Sequence, residues 1–285
     1  MFILILLSII PLVTSELCYS CASLSLQDNW QVTSLPKMPD GLNFTNVCNT
    51  FGDEDVPTRD CSGVCFEMLL PLNGRASFLR GCYSDFLSSP STVTSTNGTH
   101  CEYGPVSGEE YSKNGGTTKY PAQAAVRFCT GLKCNTYLAD KSDLYSDTTT
   151  YFKDCVVPSP QHQCVSCSRF NNDGQCDPTS TSTCTASYCI KYEGYLNEME
   201  LKFRGCSPIN PFFADQCPWI DTTSDFALFG LTVKEPYTGT HCYCTGDRCN
   251  PSSIISSSLI FSIILPLIIT QFIPFSFSSL SLFYS

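Results

Sequence analysis

Charge is missing from both ends of this 285-residue chain: none of its 42 Asp, Glu, Lys and Arg residues lies before Glu16 or after Arg248. Basic residues are scarce throughout, 16 against 26 acidic ones. The resulting net charge of -10 and pI near 4.7 leave no basic face for phosphates, which excludes nucleic-acid binding. Histidine is scarcer still, with only His100, His162 and His241. Gly-x-Ser-x-Gly, His-Glu-x-x-His and a phosphate-cradling glycine loop are all absent, so no enzyme class and no cofactor is indicated. The acidic runs Asp53-Glu54-Asp55 and Glu109-Glu110 fall in loop-like stretches and read as solvated surface. Pro and Gly recur too often for long helices. What the chain has in excess is cysteine, 20 residues confined between Cys18 and Cys249. That density points to an oxidising, extracytoplasmic compartment.

The uncharged ends read as addresses. Residues 1–15, MFILILLSIIPLVTS, form a short apolar run ending in Val13-Thr14-Ser15, small residues at -3 and -1 that suit signal peptidase. Cleavage before Glu16 is the expected outcome, an uncleaved anchor the alternative. At the other end, Leu259 to Phe275 is nearly long enough to cross a hydrocarbon core of about 30 Å. Pro266 and Pro274 interrupt it, and no Lys or Arg follows to fix an orientation. A small-residue patch before a terminal apolar tail resembles a glycosylphosphatidylinositol attachment signal, with residues 251–285 as signal and tail. Asn250, Ser252, Ser253, Ser256, Ser257 and Ser258 are the candidate attachment residues. A single-span protein and free secretion are the alternatives.

Between the ends lies a duplication. One unit opens Leu17-Cys18-Tyr19-Ser20-Cys21 and closes Cys129-Thr130-Gly131-Leu132-Lys133-Cys134-Asn135. The other opens Gln163-Cys164-Val165-Ser166-Cys167 and closes Cys244-Thr245-Gly246-Asp247-Arg248-Cys249-Asn250. In the middle of each, Cys65 and Cys82, and Cys189 and Cys206, enclose 16 residues ending in Arg-Gly. Three anchors in one order at one spacing make a repeat. The enclosed segments read as hairpins. Phe66 to Leu70 climbs to Asn73-Gly74, a two-residue turn signal, and Arg75 to Leu79 descends. Ile190 to Glu193 and Met199 to Phe203 alternate apolar and charged residues, the period of a strand with one buried face. The class is all-β.

The opening Cys-x-x-Cys boxes, the ten-cysteine count of the second unit and the closing Cys-Asn resemble the three-finger domain of the urokinase-receptor and lymphocyte-antigen-six family. The resemblance covers the mature chain as two tandem disulfide-rich domains, 16–135 and 164–250, joined by a connector at 136–163. It implies the pairs Cys164–Cys189, Cys167–Cys176, Cys184–Cys206, Cys217–Cys242 and Cys244–Cys249. In the first unit it implies Cys18–Cys65, Cys21–Cys48, Cys61–Cys82 and Cys129–Cys134. The family's eighth cysteine is missing there, near Arg127 or Phe128, which leaves Cys101 without its family partner. Cys155, the spare cysteine of the connector, is the expected partner. Against this frame a zinc site built on Cys18/Cys21, Cys164/Cys167, His100-Cys101 or His241-Cys242 is disfavoured, since zinc knuckles usually repeat in pairs. The resemblance also makes Asn135 and Asn250 structural, their side chains bonding nearby backbone.

The same resemblance implies a binding protein on the outer face of the plasma membrane, held by lipid, which engages a protein ligand or tunes a neighbouring receptor. Homotypic adhesion without a separate ligand is the alternative. Candidate contact residues at the hairpin tips are Leu70, Pro71, Leu72 and Asn73, and Gly194, Tyr195, Leu196 and Asn197. A second candidate surface is Phe212, Phe213 and Trp219, aromatics around Cys217 that serve equally as core or seam between the units. Asn43-Phe44-Thr45 and Asn97-Gly98-Thr99 are N-glycosylation acceptors expected in exposed loops. Connector residues Tyr137, Leu138, Leu144, Tyr145, Tyr151 and Phe152 suggest that it packs. The gap from Cys21 to Cys48 holds 26 residues, against 8 from Cys167 to Cys176, so the two first fingers are expected to contact different things.

Overall fold

The computed structural model describes residues 16–49, 55–88, 99–111, 117–138, 152, 154–228 and 231–250. In the first unit the strands are β1 (Glu16–Tyr19), β2 (Cys21–Ala22), β3 (Asn43–Phe44), β4 (Thr58–Cys61), β5 (Cys65–Leu72), β6 (Arg75–Cys82), β7 (His100–Tyr111) and β8 (Thr117–Cys129). In the second they are β9 (His162–Val165), β10 (Cys167–Phe170), β11 (Asp173–Gln175), β12 (Thr183–Ala186), β13 (Tyr188–Leu196), β14 (Met199–Ser207), β15 (Trp219–Leu228) and β16 (Leu231–Cys244). Each unit is a six-stranded sheet with a two-stranded one at its base: β3-β2-β6-β5-β8-β7 with β1-β4, and β11-β10-β14-β13-β16-β15 with β9-β12. The chain is therefore two tandem disulfide-rich all-β domains. Helix among the described residues is limited to four 3-10 turns: Leu24–Leu26, Trp30–Thr33, Asn46–Asn49 and Tyr83–Phe86.

Turn chemistry sets the middle hairpins. Asn73 and Gly74 both take positive φ, 48° and 71°, the conformation a two-residue type I′ turn requires. The matching turn of the second unit is Asn197-Glu198, at φ 45° and 65°, on the last residue of the tip expected from the sequence. Gly194, expected at that tip, is instead a strand residue of β13 opposite Gly239 of β16. A Cβ on Gly194 would lie 2.1 Å from the Thr238 carbonyl oxygen, so the two strands demand glycine here.

Ten disulfides are present: Cys18–Cys65, Cys21–Cys48, Cys61–Cys82, Cys101–Cys155 and Cys129–Cys134, then Cys164–Cys189, Cys167–Cys176, Cys184–Cys206, Cys217–Cys242 and Cys244–Cys249. The base of each unit packs largely sulfur against sulfur. Asn135 locks the first base: its amide donates to the carbonyls of Tyr19 and Phe66 and its oxygen accepts from the Tyr19 N–H. Asn250 does the same in the second, with Val165, Ile190 and Gly205. Cross-links replace much of the apolar burial that small domains otherwise need.

The described residues form one compact unit, because the two sheets share a core. Phe66, Met68, Leu79, Val126 and Phe128 of the first sheet pack with Ile190, Ile209, Phe212 and Tyr243 of the second. The long first finger of the first unit is not a hairpin. It folds over Trp30, 1% exposed, and carries Ser34 to the second unit, where Ser34 Oγ lies 3.0 Å from the Tyr243 hydroxyl. Tyr83 donates to the Pro211 carbonyl at 2.9 Å, and Tyr188 donates to Glu102 at 2.8 Å.

Candidate binding surface

Side chains alternate between the two faces of a strand, so each sheet has a face toward the seam and a far face. In the first unit the far face carries Glu67 and Leu69 of β5, Phe78 and Arg80 of β6, Ala125 and Arg127 of β8, and Cys101 and Tyr103 of β7. The chain covers this face with its own connector. Leu138 and Phe152, 0% and 2% exposed, pack on Leu69, Phe78 and Ala125. Phe152 stacks on Tyr103, centroids 5.0 Å apart and planes at 20°. Val156 bridges β7, donating to the Cys101 carbonyl and accepting from the Tyr103 N–H, each at 3.0 Å. Cys155 staples the strap to Cys101. Its leading end is held by Glu67, which accepts from the Leu138 N–H at 2.9 Å and from Arg127 at 2.7 Å. Arg127 occupies the register position that Cys242 holds in the second unit, opposite Glu67 as Cys242 is opposite Lys191. An ion pair thus stands where the second unit has a cysteine. Leu144, Tyr145 and Tyr151 lie outside the described residues.

Register places Trp219 at the counterpart of Tyr103, Glu193 at that of Leu69, Lys202 at that of Phe78 and Thr240 at that of Ala125. Three apolar positions have become polar, and Trp219 is 56% exposed. Glu67 is replaced by Lys191, which donates to Glu193 at 3.0 Å and offers no acceptor for a returning backbone. Glu193 also pairs with Arg204 at 2.9 Å, and Glu200 with Lys202 at 2.7 Å and Arg169 at 3.5 Å. Tyr195, 52% exposed, shares this face; a shallow recess at its end is lined by Tyr195, Asn197, Glu198, Pro236 and Thr238. Asp221 sits on the same face, across Thr238 from Tyr195. Neither Asp221 nor Glu198 has an ion-pair partner among the described residues. Among the described residues the far face of the second sheet is thus open, bearing two exposed aromatics and two carboxylates without ion-pair partners.

The sequence-derived contact residues divide accordingly. Trp219 and Tyr195 come together on this face. Phe212 does not: it is 1% exposed in the seam, against Tyr243. Phe213 is half-exposed but packs between Phe128 and His100, with centroids at 4.1 and 4.3 Å. Leu196 is buried on Ile220 and Tyr237, and Leu70 and Leu72 pack against the seam core, because strand alternation turns all three away from the free surface. Asn73 alone is exposed at its tip. Asn43 is exposed on the edge strand β3 rather than in a loop; Asn97 lies outside the described residues. Asn250, proposed from the sequence both as a structural residue and as a lipid-attachment residue, is 2% exposed and fully hydrogen-bonded. Ser252, Ser253 and Ser256 lie outside the described residues.

Sequence reasoning missed one polar cluster. His241 Nδ1 lies 3.2 Å from Ser34 Oγ, its Nε2 meets the Tyr237 hydroxyl, and its ring stacks on Tyr192 at 4.0 Å. Burial pulls the His241 pKa down to about 3. Ser34 and His241 are 0% and 2% exposed, so this serine–histidine contact is sealed from substrate and ties the units together. No signal short of the tertiary fold links positions 34 and 241. Among the described residues no three His, Cys, Asp or Glu side chains converge on a metal-sized site, and no helix is long and apolar enough to cross a membrane. No family model matches the chain, and no curated protein matches it.

Proposed function

We propose that this chain is a binding module of the outer cell surface, similar to the urokinase-receptor and lymphocyte-antigen-six three-finger proteins, that engages a protein ligand through the far face of its second sheet. One observation carries the reading. The same face of the first repeat is filled by the chain itself, while in the second it is open among the described residues, polar at the filled positions, still aromatic at Trp219, and aromatic also at Tyr195. Exposed tryptophan and tyrosine with a charged surround is the composition of an interface hot spot, and a disulfide-stapled sheet presents it with little ordering cost on association. The uncharged ends support secretion and lipid anchoring, with attachment at Ser252, Ser253 or Ser256 rather than at the buried Asn250.

The test is binding of the full chain, expressed and processed in secretory cells, to a panel of cells bearing foreign receptors. Trp219→Ala and Tyr195→Ala each lower binding at least about 10-fold, the range of a hot-spot truncation. Leu132→Ser, at a 74% exposed leucine outside this face, leaves binding unchanged. Binding that survives both aromatic substitutions sinks the reading, and self-association alone replaces it with homotypic adhesion. Release of the protein from intact cells by a phosphatidylinositol-specific phospholipase checks the anchor; retention overturns it.

A further inference from the structure

The covered face of the first unit is a template for what the open face accepts. On the first, the connector places the ring of Phe152 flat on Tyr103, over an apolar floor of Leu69, Phe78 and Ala125, in a turn that the Cys155 N–H closes on the Phe152 carbonyl. On the second, the stacking aromatic is kept as Trp219 while the floor becomes Glu193, Lys202 and Thr240. A phenyl guest would strand those polar groups out of water, a cost of desolvation without compensation. The guest that suits an aromatic face with polar edges is itself flat, and polar at its rim.

Position, not net charge, decides its sign. Lys191 and Arg204 pair with Glu193, and Lys202 and Arg169 with Glu200, so these four cations are already engaged and, with Asp221 and Glu198 counted, the charges of the face balance. The carboxylates without an ion-pair partner are the two that lie beside the exposed aromatics. Asp221 is two residues along β15 from Trp219 on the same face, about 7 Å away at strand rise. Glu198 lines the recess beside Tyr195. Building on the protein-ligand function proposed above, we propose that the open face of the second sheet takes an arginine-bearing segment of the partner, its guanidinium stacked on Trp219 where Phe152 stacks on Tyr103, with Asp221 as counter-charge. Guanidinium combines a planar, weakly hydrated stacking surface with N–H donors at its edge; the compact lysine ammonium gives the charge without the plane. The carboxylate that retains the strap of the first unit, Glu67, is Lys191 here, so the matching position offers no acceptor for a strap of that kind. The whole chain's charge of -10 favours the approach of a cationic partner.

The chain reports on this site directly, since of its two tryptophans Trp30 is 1% exposed and Trp219 is 56% exposed. The full chain, processed in secretory cells, is titrated with end-blocked Gly-Arg-Gly-Arg-Gly-Arg and with its lysine twin, following tryptophan fluorescence. The arginine probe perturbs emission and binds at least about 5-fold tighter than the lysine probe; Trp219→Phe removes the signal. Asp221→Asn weakens the arginine probe about 10-fold, the loss of one charge-assisted contact, and the control Asp173→Asn with Asp177→Asn changes it less than 2-fold. These are exposed positions, so the variants fold. Equal binding of the two probes, equal loss in the control, or silence of Trp219 overturns the inference. If the probe fails while Trp219→Ala still abolishes binding to partner-bearing cells, the guanidinium guest falls and the function stands. If both fail, both fall.

Discussion

Asn135 and Asn250 carry more than their size suggests. Each is buried, and each side chain bonds several backbone groups of the base. Replacing either by Ala removes these bonds away from water, at about 1–3 kcal/mol for each group left unsatisfied. A drop of several degrees or more in the thermal midpoint of Asn135→Ala and of Asn250→Ala is expected by calorimetry. His241 is a second single-residue lever. It is neutral in the fold with its pKa near 3, while in the unfolded chain it takes a proton near 6.5. The unfolded state therefore binds more protons between those values, and stability falls as pH drops from about 6.5 toward 3, by about 1.4 kcal/mol per unit. Denaturant midpoints measured at pH 7 and pH 4.5 decline steeply in the native chain and less in His241→Gln. Equal declines in the two would show that the ring does not carry this dependence.

At the level of elements, the connector is a strap whose function is legible in its contacts. Cys101–Cys155 closes a separation of 54 residues, which the loop-entropy relation values at about 4 kcal/mol. Cutting it with Cys101→Ser and Cys155→Ser frees Phe152 and uncovers Leu69, Phe78 and Ala125. The double variant is expected to lose stability of that order and to bind a hydrophobic dye that the native chain ignores; Phe152→Ala alone shows the dye binding with the bridge intact. The sequence made part of this readable. Asn73-Gly74 writes its own turn, because positive φ at two adjacent positions needs such residues, and the anchors Cys65, Cys82, Cys189 and Cys206 frame the two middle hairpins. Leu138 and Phe152 stood out as apolar residues in a polar connector. The turn at Asn197-Glu198 falls between the two alternating segments, but its central pair is not written locally, because glutamate carries no preference for the left-handed region. Nor did local pattern separate Trp219 from Phe212 and Phe213, since burial of an aromatic is decided by the partner sheet. The pairing of Cys101-x-Tyr103 with Cys217-x-Trp219 holds the missing signal, visible once the sheet register aligns the two repeats.

For the whole molecule the decisive feature is that duplication has not produced two independent beads. Alternation gives each sheet two faces to cover; the seam covers one of each, and among the described residues the strap covers the other in the first unit only. The seam depends on close backbone approach: a Cβ on Gly104 of β7 would lie 2.4 Å from the Cβ of Pro208, next to Tyr188 and Asn210, which bond Glu102 at 2.8 and 3.3 Å. Phe212 and Tyr243 from one unit and Phe66 and Phe128 from the other lie in the same cluster, so neither unit keeps its core if the other unfolds. The native chain is accordingly expected to unfold in a single calorimetric transition whose van't Hoff and calorimetric enthalpies agree. Gly104→Val forces β7 away from Pro208 and exposes the seam of both sheets while leaving all ten bridges and both sets of turns in place. Its melt moves to lower temperature, since each unit loses the part of its core that the other supplies. A variant that melts at the native temperature in one step would mean that the close approach at Gly104 does not hold the two sheets together.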